Sequence, residues 1–572
     1  MATVSAFASR PWIAAYADGV PAEVPATTET LVDMMAASVL DYGANVALEF
    51  FGAKTTYSKL GARIQAAANG LRALGVKPGD RVALVLPNCP QHVIAFHAVL
   101  RLGAIVVEHN PLYTGTELLR QFQDHGARVA IVWDNVAATV LSFPFHMGIA
   151  TVVSVNITKS MPLRQRALLR VPLRKAITSR AELTSRVREP QTMSWEQVLK
   201  SPGSGDPFPH VALEDIAVLQ YTSGTTGTPK GAMLSHRNLR VNASQGEAWV
   251  RGLVKGKEVF YGVLPLFHAY GLTLCLTFAM SVGARLVLFP KFEEGLVFDA
   301  MKRSPATFLP AVPPIYQRLV AAATSRRTSL RGIRFAISGA MTLPVATVAA
   351  WEEATGGLLV EGYGMTECSP IVACNPIGPS RRPGTVGVPF PNTDIRVVDP
   401  GDPSIDRAPG EEGELLLRGP QVFRGYWNNT KESEAALLPG GWMRTGDIVR
   451  VSADGFISIV DRIKELIDTN GFKVSPSEVE AALLANSDVV DAAAVGLPNT
   501  GGGEDVTAAV VLRAGARLDE HALRDFSRGS LAAYKVPRTI IELTELPRSM
   551  VGKVDRREVK ALLQRQRGGT PA

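Results

Sequence analysis

The chain has 572 residues, 46% of them hydrophobic and 20% charged, with a formal net charge of +7. That length exceeds one ordinary domain, and the balance excludes a disordered or fibrous chain in favour of a globular protein with two or more units. The mild positive excess suits anionic ligands or an anionic surface, and without a basic stripe carrying interleaved aromatics it gives no case for nucleic acid.

The opening MATVSAFASRPW has no basic stretch followed by an apolar one, so no signal peptide is expected. Four cysteines (Cys89, Cys275, Cys368 and Cys374) lack metal-ligand spacing, which points to a reducing cytoplasm and no disulfide framework. Short apolar runs then recur at Val82–Leu86, Ala104–Val107, Val129–Trp133, Thr151–Val155, Leu286–Phe289 and Phe335–Ser338. Runs of this length without alternation predict strands buried on both faces, typical of parallel sheets. Helix-like segments such as Gln91–Leu102, ended by Gly103, lie between them. The fold class that follows is α/β, a large N-terminal domain of parallel-rich sheets flanked by helices.

The segment from Lys159 to Arg188 breaks this pattern. It carries Arg164, Arg166, Arg170, Arg174, Lys175, Arg180 and Arg186 besides its two ends, against Glu182 alone as an internal acid. Leu163, Leu168, Leu169 and Leu173 are interspersed, and Pro162 and Pro172 interrupt any long helix. Two readings stand: a solvated surface insertion, or contact of residues 159–188 with an anionic membrane surface on the inner face of the membrane. A polar linker, Ser201–Asp206, follows.

Tyr221–Gly231 reads YTSGTTGTPKG between the apolar runs Ile216–Leu219 and Ala232–Leu234. Glycines let backbone N–H groups approach phosphate oxygens, hydroxyls add donors and the lysine adds charge. The Gly-Lys-Ser/Thr ending of a Walker A loop is absent. Further on, Val259–Ala284 holds no Asp, Glu, Lys or Arg and is long enough to span a bilayer. Pro265, His268 and Gly271 within it favour burial in an α/β core instead. After Asp461 a helix-like Ser475–Leu484, strand-like Ala492–Val495 and Ala508–Leu512 and a basic tail fit a small α+β domain.

The Tyr221–Gly231 run resembles the phosphate-binding signature of the superfamily of acyl-CoA synthetases, peptide-synthetase adenylation domains and luciferase. Its other motifs follow in order: LPLFHAYG (Leu264–Gly271), SGAMTLP (Ser338–Pro344), EGYGMTE (Glu361–Glu367), GWMRTGD (Gly441–Asp447), DRIKELI (Asp461–Ile467), NGFKVSPSEVE (Asn470–Glu480) and LPRSMVGKVDRR (Leu546–Arg557). The resemblance implies an AMP-binding domain over 1–460 and a mobile C-terminal domain over 461–572, hinged near Lys464. It implies ATP and AMP contacts from Thr222, Ser223, Gly224, Thr225, Thr226, Gly227, Thr228 and Lys230. Glu361, Gly362 and Gly364 would add further ATP and AMP contacts, and Tyr363 would stack on adenine with Gly339 and Ala340 lining that pocket.

Thr366 would bond the α-phosphate, Asp447 both ribose hydroxyls, and Arg462 would reach the nucleotide. Glu367, with Thr225, resembles the Mg²⁺ site, for which a hard carboxylate is the right partner. Lys553 matches the catalytic lysine that bridges carboxylate and α-phosphate oxygens. His268 resembles the gate of the acyl pocket beside Gly339, and the resemblance implies that Gly471, Phe472 and Lys473 would lie on the coenzyme A path.

The chemistry fits these residue types. A carboxylate is a poor acyl donor because its leaving group is oxide, whereas joining it to AMP makes a mixed anhydride. Attack at the α-phosphorus needs charge neutralisation more than a protein nucleophile.

Within the superfamily the chain is most similar to bacterial long-chain fatty-acid-CoA ligases, through NPLYTGTELLRQFQDHGA (Asn110–Ala127), GAMLSHRN (Gly231–Asn238), LLVEGYGMTECSPIV (Leu358–Val372), RGPQVFRGYWN (Arg418–Asn428) and YKVPRTI (Tyr534–Ile540). The expected activity is ATP-dependent conversion of a fatty acid to acyl-AMP and pyrophosphate, then to acyl-CoA and AMP. An acyl-AMP ligase, an aryl-acid CoA ligase and a membrane-associated lipid-binding protein without turnover are the alternatives. The glycine-rich Thr500–Gly503 and Asp468 depart from the usual pattern near the coenzyme A path. The sequence is compatible with a homodimer as well as with a monomer.

Overall fold

The computed structural model describes residues 6–187, 192–203, 205–222, 229–469, 472–499, 503–549 and 552–568. The chain forms two compact units, one of residues 13–394 with 418–443, the other of residues 1–12, 395–417 and 444–572.

The larger unit is built on two sheets. The seven-stranded sheet runs Thr192–Ser194, Thr151–Val155, Val129–Trp133, Arg81–Val85, Ile105–His109, Ile216–Thr222, Lys230–Ser235. Its neighbours pair in parallel until the last strand, which returns antiparallel as a hairpin. In the nine-stranded sheet a parallel core (Leu358–Gly364, Phe335–Ser338, Phe308–Ala311, Val259–Gly262, Arg285–Leu288, Val46–Phe50) is closed at both edges by antiparallel strands. The apolar runs of the sequence are these strands, and Val82, Ala83, Leu84 and Val85 have no exposed surface. Helices cover them, Pro90–Arg101 being buried along almost its whole length.

Parallel sheets place all strand C-termini along one edge, where ligands bind in open α/β folds. The candidate residues Thr222, Gly339 and Glu361–Gly364 stand at such C-terminal ends. The stretch from Val259 to Ala284 folds as a strand, a helical turn (Ala269–Gly271), a π-helix (Leu272–Thr277) and a short helix (Phe278–Ser281), and is almost wholly buried. No helix among the described residues is long and apolar enough to cross a membrane. The prolines divide the basic segment into two short helices, Leu163–Leu168 and Arg174–Leu183.

In the smaller unit Val489–Pro498 pairs antiparallel with Glu504–Leu512, which pairs in parallel with Thr539–Glu542. Alternate residues face opposite ways. Ala492, Ala494, Val506, Ala508 and Val510 therefore join one core with Val479, Leu483 and Leu523 from helices Pro476–Leu484 and Glu520–Arg528. Ala493, Val495, Leu497 and Ala509 join another, with Val559 and Leu563 of Arg556–Gly568. Another antiparallel pair, Asp447–Val451 with Ile457–Arg462, carries Asp447 and Arg462 opposite each other at one end.

Candidate active site

In the larger unit, Thr222 and Lys230 oppose each other across the Ile216–Ser235 hairpin and bracket the phosphate-type loop. Ser223, Gly224, Thr225, Thr226, Gly227 and Thr228 lie outside the described residues, as does Gly471. Just before the loop, Gln220 Nε2 donates to Phe267 O at 2.5 Å, tying it to the segment that bears His268. His268 Nδ1 accepts the Tyr270 N–H at 3.3 Å, and burial lowers this imidazole to about 4, so the ring is neutral near pH 7. Tyr270 Oη donates to Ile337 O at 2.7 Å, which sets its ring against Gly339. A Cβ on Gly339 would stand 3.1 Å from that ring.

The next residue, Ala340, adopts φ +67°, a left-handed conformation that costs a non-glycine residue about 1–2 kcal/mol. Such strain clusters at ligand sites, and alanine gives no sign of it in a sequence. The EGYGMTE segment leaves its strand at Gly364, where a Cβ would come within 2.0 Å of Pro370 O, so only glycine permits the turn. Glu361 accepts the Leu343 N–H at 3.2 Å, and burial pushes its carboxyl up to about 7. Gly362 and Tyr363 pair with Cys374 and Ala373 on the neighbouring strand, and Thr366 opens the turn that ends in Cys368.

Glu367 is half-buried, and its Oε1 accepts the Tyr426 hydroxyl at 2.7 Å. A partly exposed carboxylate is the oxygen donor that Mg²⁺ takes when it also holds phosphates, so the residue fits that ion. Lys230, 8% exposed, ion-pairs with Glu432 and lies 5.2 Å from the centre of the Tyr426 ring. Tyr426 and Glu432 carried no assigned role in the sequence, although Tyr426 lies within RGPQVFRGYWN.

Beneath the loop's entry lies an aromatic cluster. Tyr221 Oη donates to Asp124 at 2.6 Å, and its ring stacks 6.0 Å from His109. His109 and His125 lie 5.0 Å apart, and burial lowers both, His109 to about 4.

In the smaller unit, Asp447 is 2% exposed and faces Arg462 across the antiparallel pair, with Arg462 Nε 2.8 Å from its carboxylate. The turn before it is fixed by buried Glu414, which accepts the Gly446 N–H at 3.1 Å and holds Arg444. Sequence reasoning missed Glu414, whose pairing joins positions about thirty residues apart. Lys464 is exposed in the turn that follows Arg462. Lys473, beside Phe472, ion-pairs with Asp468 at 2.7 Å, so the departure at Asp468 answers a cation on the facing strand.

Lys553 sits on a hairpin closed by the Arg548–Val554 bridge and the Asp555 N–H to Pro547 O bond of 2.8 Å. Gly552 beside it takes φ +80°, which glycine alone adopts without strain. Burial and the nearby Arg462 charge lower the Lys553 pKa, against the opposing pull of Glu465 and Asp447. The three candidates Asp447, Arg462 and Lys553 thus share one electrostatic environment.

These two groupings match a known family. The family described as AMP-binding enzyme matches residues 35–427, and the AMP-binding enzyme C-terminal domain matches residues 478–553. The chain belongs to the AMP-binding enzyme family. It is 35% identical over 552 residues to a long-chain-fatty-acid–CoA ligase of Bacillus subtilis (strain 168), covering 96% of this chain and 97% of that protein. Among solved structures it resembles ATP-bound MatB from Rhodopseudomonas palustris (TM-score 0.78, 29% identity, 93% of this chain and 99% of the other). It also resembles the anthranilate CoA ligase AuaEII in complex with anthranoyl-AMP (TM-score 0.80, 26% identity, 96% and 99%).

Proposed function

We propose that this chain is an acid–thiol ligase that activates a long-chain fatty acid with ATP and transfers the acyl group to coenzyme A. The observation that carries the reading is the end-to-end likeness to the Bacillus subtilis long-chain ligase, 35% identical over 96% of the chain. In the first step a carboxylate oxygen attacks the α-phosphorus, the bond to the β-phosphate bridge breaks, and pyrophosphate leaves with acyl-AMP formed. In the second the coenzyme A thiol gives its proton to solvent, its sulfur attacks the acyl carbon, the bond from that carbon to the phosphate oxygen breaks, and AMP departs with that oxygen.

The loop from Thr222 to Lys230 would cradle the phosphates, Thr366 and Lys553 would neutralise the α-phosphate, and Asp447 and Arg462 would hold the ribose side. Glu367 and Thr225 would hold Mg²⁺, which supplies charge neutralisation when bound. His268 would gate the acyl pocket, and Gly471–Lys473 would flank the thiol's approach. We place the domain boundary at residue 461 and the hinge at Lys464, whose exposed turn can absorb a backbone rotation. Mass spectrometry of the enzyme with ATP, Mg²⁺, palmitate and coenzyme A is expected to find palmitoyl-CoA and AMP. Acyl-AMP accumulating without thioester would refute the ligase reading. The likeness to AuaEII favours an aryl acid as the second reading, and turnover with benzoate-type acids alone would establish it.

The basic segment we assign to an anionic bilayer surface. Leu163, Leu168, Leu173 and Ile177 are 78%, 64%, 64% and 47% exposed, and Arg164, Arg170, Arg174, Lys175 and Arg180 stand among them on the surface. The internal acid Glu182 is occupied by Lys291 at 2.7 Å. Apolar tips between unneutralised cations match headgroup phosphates over acyl chains. Sedimentation with phosphatidylglycerol-containing vesicles, and not with phosphatidylcholine vesicles, is the expected result. The pair Leu168→Asp and Leu173→Asp should weaken it about tenfold or more; unchanged binding would leave the segment a solvated insertion.

A further inference from the structure

Tyr426 is held from both sides. The Phe423–Trp427 segment runs beside the strand that leaves the phosphate-type loop, with Arg424 N–H donating to Met233 O and Met233 N–H to Gly425 O, each at 2.9 Å. Trp427 N–H donates to Gly231 O at 2.8 Å, and Phe423 N–H to Glu367 O at 2.8 Å. Four backbone bonds therefore fix the Tyr426 main chain to the loop's exit strand and to the turn bearing Glu367. Its side chain continues the link. The hydroxyl donates to Glu367 Oε1 at 2.7 Å, the ring faces the Lys230 ammonium at 5.2 Å, and Phe423 packs edge-on at 4.9 Å.

We propose that Tyr426 is a positioning residue that orients the Glu367 carboxylate toward a divalent cation and registers it against the lysine closing the phosphate-type loop. This rests on reading Glu367 as the metal-facing carboxylate. A phenol bonded to one carboxylate oxygen restricts rotation about the side chain's last torsions, which fixes where the second oxygen points. Outer partners of this kind are worth about 10–100-fold in metal affinity. Glu432 completes the arrangement by pairing with the buried Lys230 ammonium.

The test is Tyr426→Phe, which keeps the ring and its contact with Lys230 and deletes one hydroxyl. Binding of Mn²⁺ by the full-length enzyme with a non-hydrolysable ATP analogue, read from the electron paramagnetic resonance of free Mn²⁺, should weaken about tenfold. Binding of the analogue without metal should stay within about twofold, because the phenol touches the carboxylate and not the nucleotide. On a Glu367→Gln background the same change should cost nothing further, since the two groups act as one unit. Should Tyr426→Phe fold poorly, Tyr426→His, which retains a ring donor, should recover part of the Mn²⁺ affinity. Unchanged Mn²⁺ binding in Tyr426→Phe alongside a loss in Glu367→Gln would overturn the positioning role alone. Unchanged binding in Glu367→Gln would overturn both it and the reading of Glu367.

Discussion

Lys553→Ala is expected to slow acyl-adenylate formation about 10²–10³-fold while slowing thioester formation from supplied acyl-AMP less than about tenfold. The asymmetry follows from where charge develops. Attack of the carboxylate brings negative charge onto the α-phosphoryl oxygens before pyrophosphate carries it off, and a partly desolvated ammonium aimed there gains strength because it need not reorganise at the moment of reaction. Lys553 is suited to that: its hairpin is closed by backbone bonds, Gly552 supplies the left-handed turn, and burial with Arg462 nearby leaves the ammonium costly to hold unpaired. An incoming carboxylate and phosphate would relieve that cost. The thiol step asks instead for a clear approach to the acyl carbon, which the lysine does not provide. Pyrophosphate release and acyl-CoA formation from synthetic acyl-AMP, measured separately on one preparation, decide the matter. Equal losses in both would show that Lys553 supports the hairpin and not the phosphate.

How much of this could be read beforehand depended on how local each cause was. Strands buried on both faces need apolar residues at every position, so Val82–Leu86 or Val129–Trp133 announce themselves without alternation. Pro162 and Pro172 likewise marked where the basic segment had to break into separate helices. The candidate chemistry was legible as motifs, yet the partners of those motifs were not. Tyr426 reaches Glu367 across 59 positions and Lys230 reaches Glu432 across 202. Neither carries a local pattern, because the pairing is made by the Phe423–Trp427 segment lying along a strand far away in sequence. Ala340 illustrates a different blindness. A glycine there would have suggested a positive φ, whereas alanine conceals the strain until the backbone is seen. Asp447 and Arg462 were each identified separately, but their ion pair follows from a strand register that only the fold sets.

Acid should unfold the larger unit well before its carboxylates become the cause. His97, His109, His125 and His236 are 2%, 1%, 1% and 1% exposed, and burial lowers each below the ordinary 6.5, to about 3 for His97 and about 4 for His109 and His236. The sign is fixed by linkage. A histidine with a depressed folded-state pKa is neutral in the fold and takes a proton more readily unfolded, so stability falls as pH drops through the unfolded value. Each such ring costs roughly 2 kcal/mol by about pH 5 relative to neutrality. Glu361 and Asp134, raised to about 7 and about 6, work in the opposite sense, because the fold holds their protons more tightly. The two carboxyls offset part of what these four histidines and His268, lowered to about 4, remove. His97 is the cleanest probe, since neither ring nitrogen has a hydrogen-bond partner among the described residues and a leucine of similar volume loses nothing polar. In thermal scans at fixed rate, the drop in midpoint between about pH 7.5 and about pH 5 should be smaller in His97→Leu by about 2–4 °C. If the two pH profiles run parallel, the imidazole titrates in the fold as it does in water, and its burial is not what makes the protein acid-sensitive.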